Sequence, residues 1–127
     1  MNGDSYNILN AADLAIVASG TATLESAIIG TPLIITYKVA FITYLLYNIV
    51  SRTKFLGLVN IIAGKEVAPE FLQYNATPEK ISGAALDILT DGKKRQNIKE
   101  ELRNITFSLG SSGASIRAAK AILPFLD

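Results

Sequence analysis

The stretch DLAIVASGTATLESAIIGTPLIITYK, residues 13–38, decides the fold. Four successive apolar residues, Leu14 to Val17, read as a buried strand. TATLESAIIG reads as a helix whose inner face is Leu24, Ala27 and Ile28, with Gly30 as its stop. TPLIITYK is a second buried strand, and its unbroken Leu33-Ile34-Ile35 run suits a parallel sheet covered on both faces. Strand, helix and strand at this spacing form a βαβ unit.

On the amino side, Ser5 is placed to cap a short helix running through Ala12. On the carboxyl side, FITYLLYNIVSR reads as a helix, LGLVNI as a short third strand, and APEFLQYN as a short helix with Pro69 near its first position. ATPEKISGAALDILTDG carries helix punctuation, with Thr77 as cap, Pro78 at the first position and Gly92 past the end. Ile81, Ala84, Ala85, Ile88 and Leu89 share one face of it. Ile98, Leu102, Ile105 and Leu109 do the same in the next helix, which Gly110 ends, and SSGASIRAAKAILPFL makes a final one. Strands thus cluster in the first half and helices in the second. Two or three parallel strands fall short of the about five or six usual in a doubly wound sheet. The expectation is an α/β chain forming one domain, the latter part of a larger nucleotide-binding unit.

Composition narrows the chemistry. The 127 residues suffice for one domain with a core, and half of them are hydrophobic. Twelve basic residues against 11 acidic ones give no broad attraction to nucleic acid. Without cysteine there is no disulfide or thiolate metal site, and without histidine the commonest general base and metal ligand is missing. No cofactor or metal is implied. MNGDSYN has neither a basic n-region nor an apolar h-region, so no signal peptide is expected and the cytoplasm is the expected location. VAFITYLLYNIV, residues 39–50, falls well short of the about 20 apolar residues that span a bilayer.

The small, hydroxyl-rich turn after the first strand is the candidate site. Ligands of open α/β sheets bind beyond the carboxyl ends of the strands. There Ser19, Gly20, Thr21 and Ala22 open a helix, whose first N–H groups lack intrahelical partners and whose dipole favours negative charge. Gly20 lets a ligand approach the backbone, and Ser19, Thr21 and Thr23 add hydroxyls. This is a cradle for a diphosphate. With Ser19 as cap, the capping-box acid belongs at Ala22. Glu25 lies deeper, about one turn in, where its carboxylate can accept hydrogen bonds from a ribose diol. Ordinary helix capping and a solvated glutamate account for the same letters.

Two stretches in order, ADLAIVASGTATLESAIIGTPLIITYK and LVNIIAGKEVAPEFLQ, closely resemble the carboxyl-terminal part of the lipid-A-disaccharide synthase family. The resemblance runs from Gly3 to the last helix and implies the last third of a bacterial glycosyltransferase with two Rossmann-like domains, the B-type fold. It implies UDP-2,3-diacylglucosamine as donor, 2,3-diacylglucosamine 1-phosphate as acceptor, and release of UDP. Ser19, Gly20, Thr21 and Ala22 would then face the diphosphate and Glu25 the ribose. Asn60, Glu70 and Gln73 would lie on the donor cleft. The family usually has proline between Leu58 and Asn60, where this chain has Val59. Ordinary roles remain open for these residues too: Glu70 as an acid in a first helical turn, Gln73 on the surface, Asn60 in a turn.

The resemblance also implies missing parts. The amino-terminal domain, with the acceptor site and catalytic acid, is not in this sequence, nor is the arginine-bearing phosphate loop of the nucleotide domain. This chain alone is therefore expected not to turn over. A homo-oligomer is expected, because a small sheet leaves edges unpaired and the absent half would have covered Leu33 to Ile35 and the helix from Phe41 to Val50. The family's exchange of carboxyl-terminal helices would involve Ser111 to Phe125. Peripheral contact with the inner membrane would use FITYLLYNIV, flanked by Lys38, Arg52 and Lys54; burial in a core suits the same helix. The competing functional reading is a non-catalytic oligomerisation module. An epimerase or cell-wall glycosyltransferase of the same fold is disfavoured by the second motif.

Overall fold

A computed structural model describes residues 4–18, 20–38, 55–110, 113 and 122. The expected helices over 41–52 and 111–125 lie outside the described residues, apart from Gly113 and Ile122, as does Ser19. The elements follow in the order α1 (Ser5–Ala11), β1 (Ala15–Ala18), α2 (Thr21–Ile29), β2 (Leu33–Tyr37), α3 (Leu58–Ala63), β3 (Glu70–Leu72), a 3-10 turn (Gln73–Asn75), α4 (Pro78–Thr90) and α5 (Gly92–Ser108).

The three strands form one parallel sheet in the order β1-β2-β3. Leu33, Ile34 and Ile35 are all fully buried, so β2 is covered on both faces. Each stabilises the fold by about 1.5–3 kcal/mol. The sequence expectation that an absent half would leave them wet is therefore corrected. Helices of this chain do the covering, with α2 and α4 both packed on β2. Val59, Ile88 and Leu102 extend the core into α3, α4 and α5.

The third strand is not where the apolar run LGLVNI suggested. That run is helix α3, and APEFLQYN, expected as a helix, supplies β3. A six-residue apolar run has no periodicity that separates strand from helix. Pairing decides it. Pro32 and Pro69 each stand one residue before a strand, where a missing N–H costs no ladder bond. Their carbonyls accept the N–H groups of Ala15 and Ile35, both at 2.9 Å, and so begin the β1–β2 and β2–β3 pairings.

Helix α2 also turns differently from expectation. Its buried residues are Thr23, Ser26 and Ala27, whereas Ile28 is 57% exposed. The helix is crowded by α1, α3, α5, β1 and β2, which leaves room only for small side chains. Their hydroxyls are satisfied within the helix: Thr23 Oγ1 donates to the Gly20 carbonyl at 2.7 Å and Ser26 Oγ to that of Ala22 at 3.0 Å. Gly30 stops α2 in the left-handed conformation, as read. Thr106 of α5 reaches back to the Ala27 carbonyl at 3.1 Å and ties the two helices together.

The remaining ends need smaller corrections. Asp4, not Ser5, is the N-cap of α1, without a side-chain capping bond. Thr77 does cap α4, and Pro78 follows it. Gly92 opens α5 rather than closing α4, because Asp91 between them caps α5 through the N–H groups of Lys93 and Lys94. Leu89 and Leu109 are exposed at the ends of otherwise buried stripes.

Candidate functional site

All three strands run the same way, so Ala18, Tyr37 and Leu72 end on one edge of the sheet. Ala18 is level with Thr36, and Thr36 with Phe71. Gly20 is two residues past Ala18, and Gln73 two past Phe71. The first motif and the end of the second therefore both leave the sheet at the same edge. They sit on strands two spacings apart, roughly 10 Å.

Gly20 is the N-cap of α2 with φ 129° and ψ −156°, a conformation closed to residues with a Cβ. A Cβ built there would meet nothing within 4 Å among the described residues. Glycine is needed for the turn, not for lack of room. Thr21 is exposed, and Ala22 and Glu25 are half-buried. Glu25 is the fifth residue of α2, one turn in. Thr23, read as a further hydroxyl donor, is fully buried and spent on Gly20, so it is not available to a ligand.

The second motif is brought together more tightly than its letters suggest. Asn60 is fully buried in α3. Its Oδ1 accepts from the N–H groups of Val67 and Ala68 at 2.7 and 2.9 Å. Its Nδ2 donates to the Ala68 carbonyl at 2.7 Å and to Glu70 Oε1 at 2.8 Å. Glu70 is not in a helical first turn but at the start of β3, level with Ile35. Its Oε1 also accepts from Gly57 N–H at 3.0 Å, and its Oε2 from Leu56 N–H at 2.9 Å. Asn60 and Glu70 thus form a single network that binds α3, the 64–69 loop and β3. Gln73 follows β3 with φ 52°, the one left-handed non-glycine residue among those described.

Sequence reasoning missed Gly57. A Cβ there would overlap Ile35 Cδ1 and stand 2.9 Å from Glu70 Oε1, so the residue must be bare for the carboxylate to reach its amide. The glycine inside the apolar run LGLVNI was the available signal. A cleft of about 480 Å³ lies elsewhere, between the end of α2 and α5, lined in part by Ile28, Lys99, Arg103 and Phe107. It is at the opposite edge of the sheet from Gly20, away from the strand ends, so its size does not make it the nucleotide site. Among the described residues no group of three or more carboxylates could hold a metal ion, and no helix is long and apolar enough to cross a membrane.

The sequence pattern of the lipid-A-disaccharide synthetase family matches residues 1–123. The chain belongs to that family. It is 46% identical over 126 residues to the lipid-A-disaccharide synthase of Syntrophus aciditrophicus, covering 99% of this chain and 33% of that protein. It is 44% identical over 123 residues to the enzyme of that name from Sulfurihydrogenibium sp., covering 97% and 32%. Against that of Saccharophagus degradans it is 40% identical over 127 residues, covering 99% and 32%. The chain spans about a third of the length of these relatives. As a lipid-A-disaccharide synthetase family member of α/β type, its three parallel strands and following helices form part of a Rossmann-like glycosyltransferase fold.

Proposed function

We propose that this chain is the UDP-sugar-binding portion of a glycosyltransferase that joins UDP-2,3-diacylglucosamine to 2,3-diacylglucosamine 1-phosphate and releases UDP. The observation that carries the reading is the turn at Gly20. It opens a helix at the carboxyl edge of a parallel sheet, with no described residue within 4 Å of a Cβ built on it. The first turn of α2 begins there, and the helix dipole favours a diphosphate. As the bond to the anomeric carbon breaks, charge grows on UDP, and fixed donors at this point stabilise it. In this reading Ser19 to Ala22 hold the diphosphate, Glu25 accepts from the ribose diol, and Gln73 closes the cleft from β3. The acceptor lipid and the catalytic groups belong to the two-thirds of the relatives that this chain does not span, so the chain alone does not transfer sugar.

Titration of the labelled chain with UDP, followed by backbone amide shifts, tests the placement. Gly20, Thr21, Ala22 and Gln73 should move most. Glu25→Gln should weaken UDP several-fold and deoxyuridine diphosphate less. Shifts confined to α4 and α5 would refute the site.

A second reading, association of copies, is favoured by β1. It is an edge strand among the described residues, and its Ile16 is 56% exposed. Light scattering over a dilution series should show a species larger than the monomer. A monomer at every concentration would refute it.

A further inference from the structure

The Asn60–Glu70 network has the wrong shape for a ligand-binding pair and the right one for a brace. Both polar side-chain atoms of Asn60 are engaged with protein, and the residue is fully buried. Both carboxylate oxygens of Glu70 are engaged as well, by two backbone N–H groups and the Asn60 amide. These bonds form at the start of β3, level with Ile35, in the middle of the sheet rather than at its carboxyl edge.

What they brace is the strand that ends at Gln73. β3 has only three residues and, among the described residues, pairs only with β2. A strand that short holds its own end poorly. Yet that end carries a glutamine in the left-handed region, a conformation that persists only where the surroundings impose it. Fixing the first residue of β3 to Leu56, Gly57 and Asn60 sets the height at which the chain leaves the sheet. The chain leaves there at the same edge of the sheet from which it runs from β1 into Gly20.

We propose that Glu70, aligned by Asn60, is a positioning residue for nucleotide binding that acts through Gln73 and does not itself touch the nucleotide. The proposal rests on the UDP reading above. It separates the residues that the second motif places together: Gln73 makes the contact, and Asn60 and Glu70 hold it in place.

A double-mutant cycle on UDP affinity tests this with the full chain. Gln73→Ala should weaken UDP about tenfold. Glu70→Gln keeps the shape but turns an amide group toward a backbone N–H, and should weaken UDP several-fold. In the Gln73→Ala background, adding Glu70→Gln should change UDP affinity less than twofold. Without UDP, Glu70→Gln should shift the Gln73 amide as well as those of Leu56 and Gly57. If Glu70→Gln does not fold, Gly57→Ala presses on the same carboxylate and should show the same coupling to Gln73→Ala. Full additivity would mean that Glu70 contacts the nucleotide itself, and would overturn the inference while leaving the UDP site standing. No response of the unaltered chain to UDP would overturn the site and the inference together.

Discussion

Asn60→Ala should be the most damaging single truncation in the chain that removes no large apolar group. The side chain accepts the N–H groups of Val67 and Ala68, and these residues are 7% and 0% exposed, so little water can replace it. Two orphaned buried donors cost about 1–3 kcal/mol each. The Ala68 carbonyl loses a donor too. Glu70 loses one of three but keeps two backbone partners. A water entering the vacated space recovers part of this, and the net loss should be about 3 kcal/mol. Against a domain stability of about 5–15 kcal/mol that is a large share.

Urea unfolding is the assay. With a slope of about 2 kcal/mol per molar, the midpoint should fall by about 1.5 M. Amide exchange should locate the damage, with Val67 and Ala68 losing protection before the strands do. A control sits on the same loop. Lys65 pairs with Glu101 at 2.7 Å, but the two side chains are 58% and 36% exposed, so Lys65→Ala should cost under about 0.5 kcal/mol after solvent screening. An Asn60→Ala midpoint within about 0.5 M of the parent, with both amides still protected, would refute the account of Asn60 as the residue that organises this loop.

Gly57→Ala should destabilise the chain by about 1–3 kcal/mol, because the new methyl meets Ile35 and the Glu70 carboxylate; an unchanged urea midpoint would show that both neighbours yield freely. Asp91→Ala should cost about 1 kcal/mol and Thr77→Ala about half as much, since Asp91 accepts two N–H groups at 3.0 Å and Thr77 one at 3.4 Å. Equal losses would contradict a ranking by geometry. Ile16→Lys should shift any associated species toward monomer in light scattering, whereas Phe107→Lys, at a residue 89% exposed on α5, should not; the opposite pattern would move the contact from β1 to α5.

The βαβ unit was legible because its signals are local. Four apolar residues, a small-residue turn and a glycine stop each have one reading at that spacing. The ends of α4 and α5 were legible in part, because capping chemistry lies within a few residues. Gly92 was misread because an aspartate followed by glycine reads equally as the end of one helix or the start of the next. The exchange of strand and helix between LGLVNI and APEFLQYN was not legible, because the deciding bond joins Ile35 to the Pro69 carbonyl across thirty-odd residues. The site divides the same way. Gly20 was read as leaving room for a ligand, whereas its φ of 129° is what demands glycine there. That Asn60 and Glu70 meet depends on a fold of the chain that no spacing encodes, whereas Thr23 reaching the Gly20 carbonyl is a contact within one helical turn.

The two edges of the sheet carry different consequences for what this third-length chain exposes. Ile16 and Ile34 are paired in register and so share a face, yet Ile34 is fully buried and Ile16 is 56% exposed. The face is closed over the central strand and open over β1. Leaving a large branched side chain wet forgoes about 1.5–3 kcal/mol, and the outer N–H and C=O groups of β1 add a template for another strand. β3 offers neither. It is three residues long, none of them fully exposed, and its start is bound to Leu56 and Gly57 by a carboxylate. Surplus adhesion therefore lies beside the first motif and rigidity beside the second. A partner strand added at β1 would extend the sheet next to Gly20 without disturbing the Glu70 brace. Such an arrangement leaves the carboxyl edge of the sheet clear, so association through β1 is compatible with the nucleotide binding proposed at Gly20.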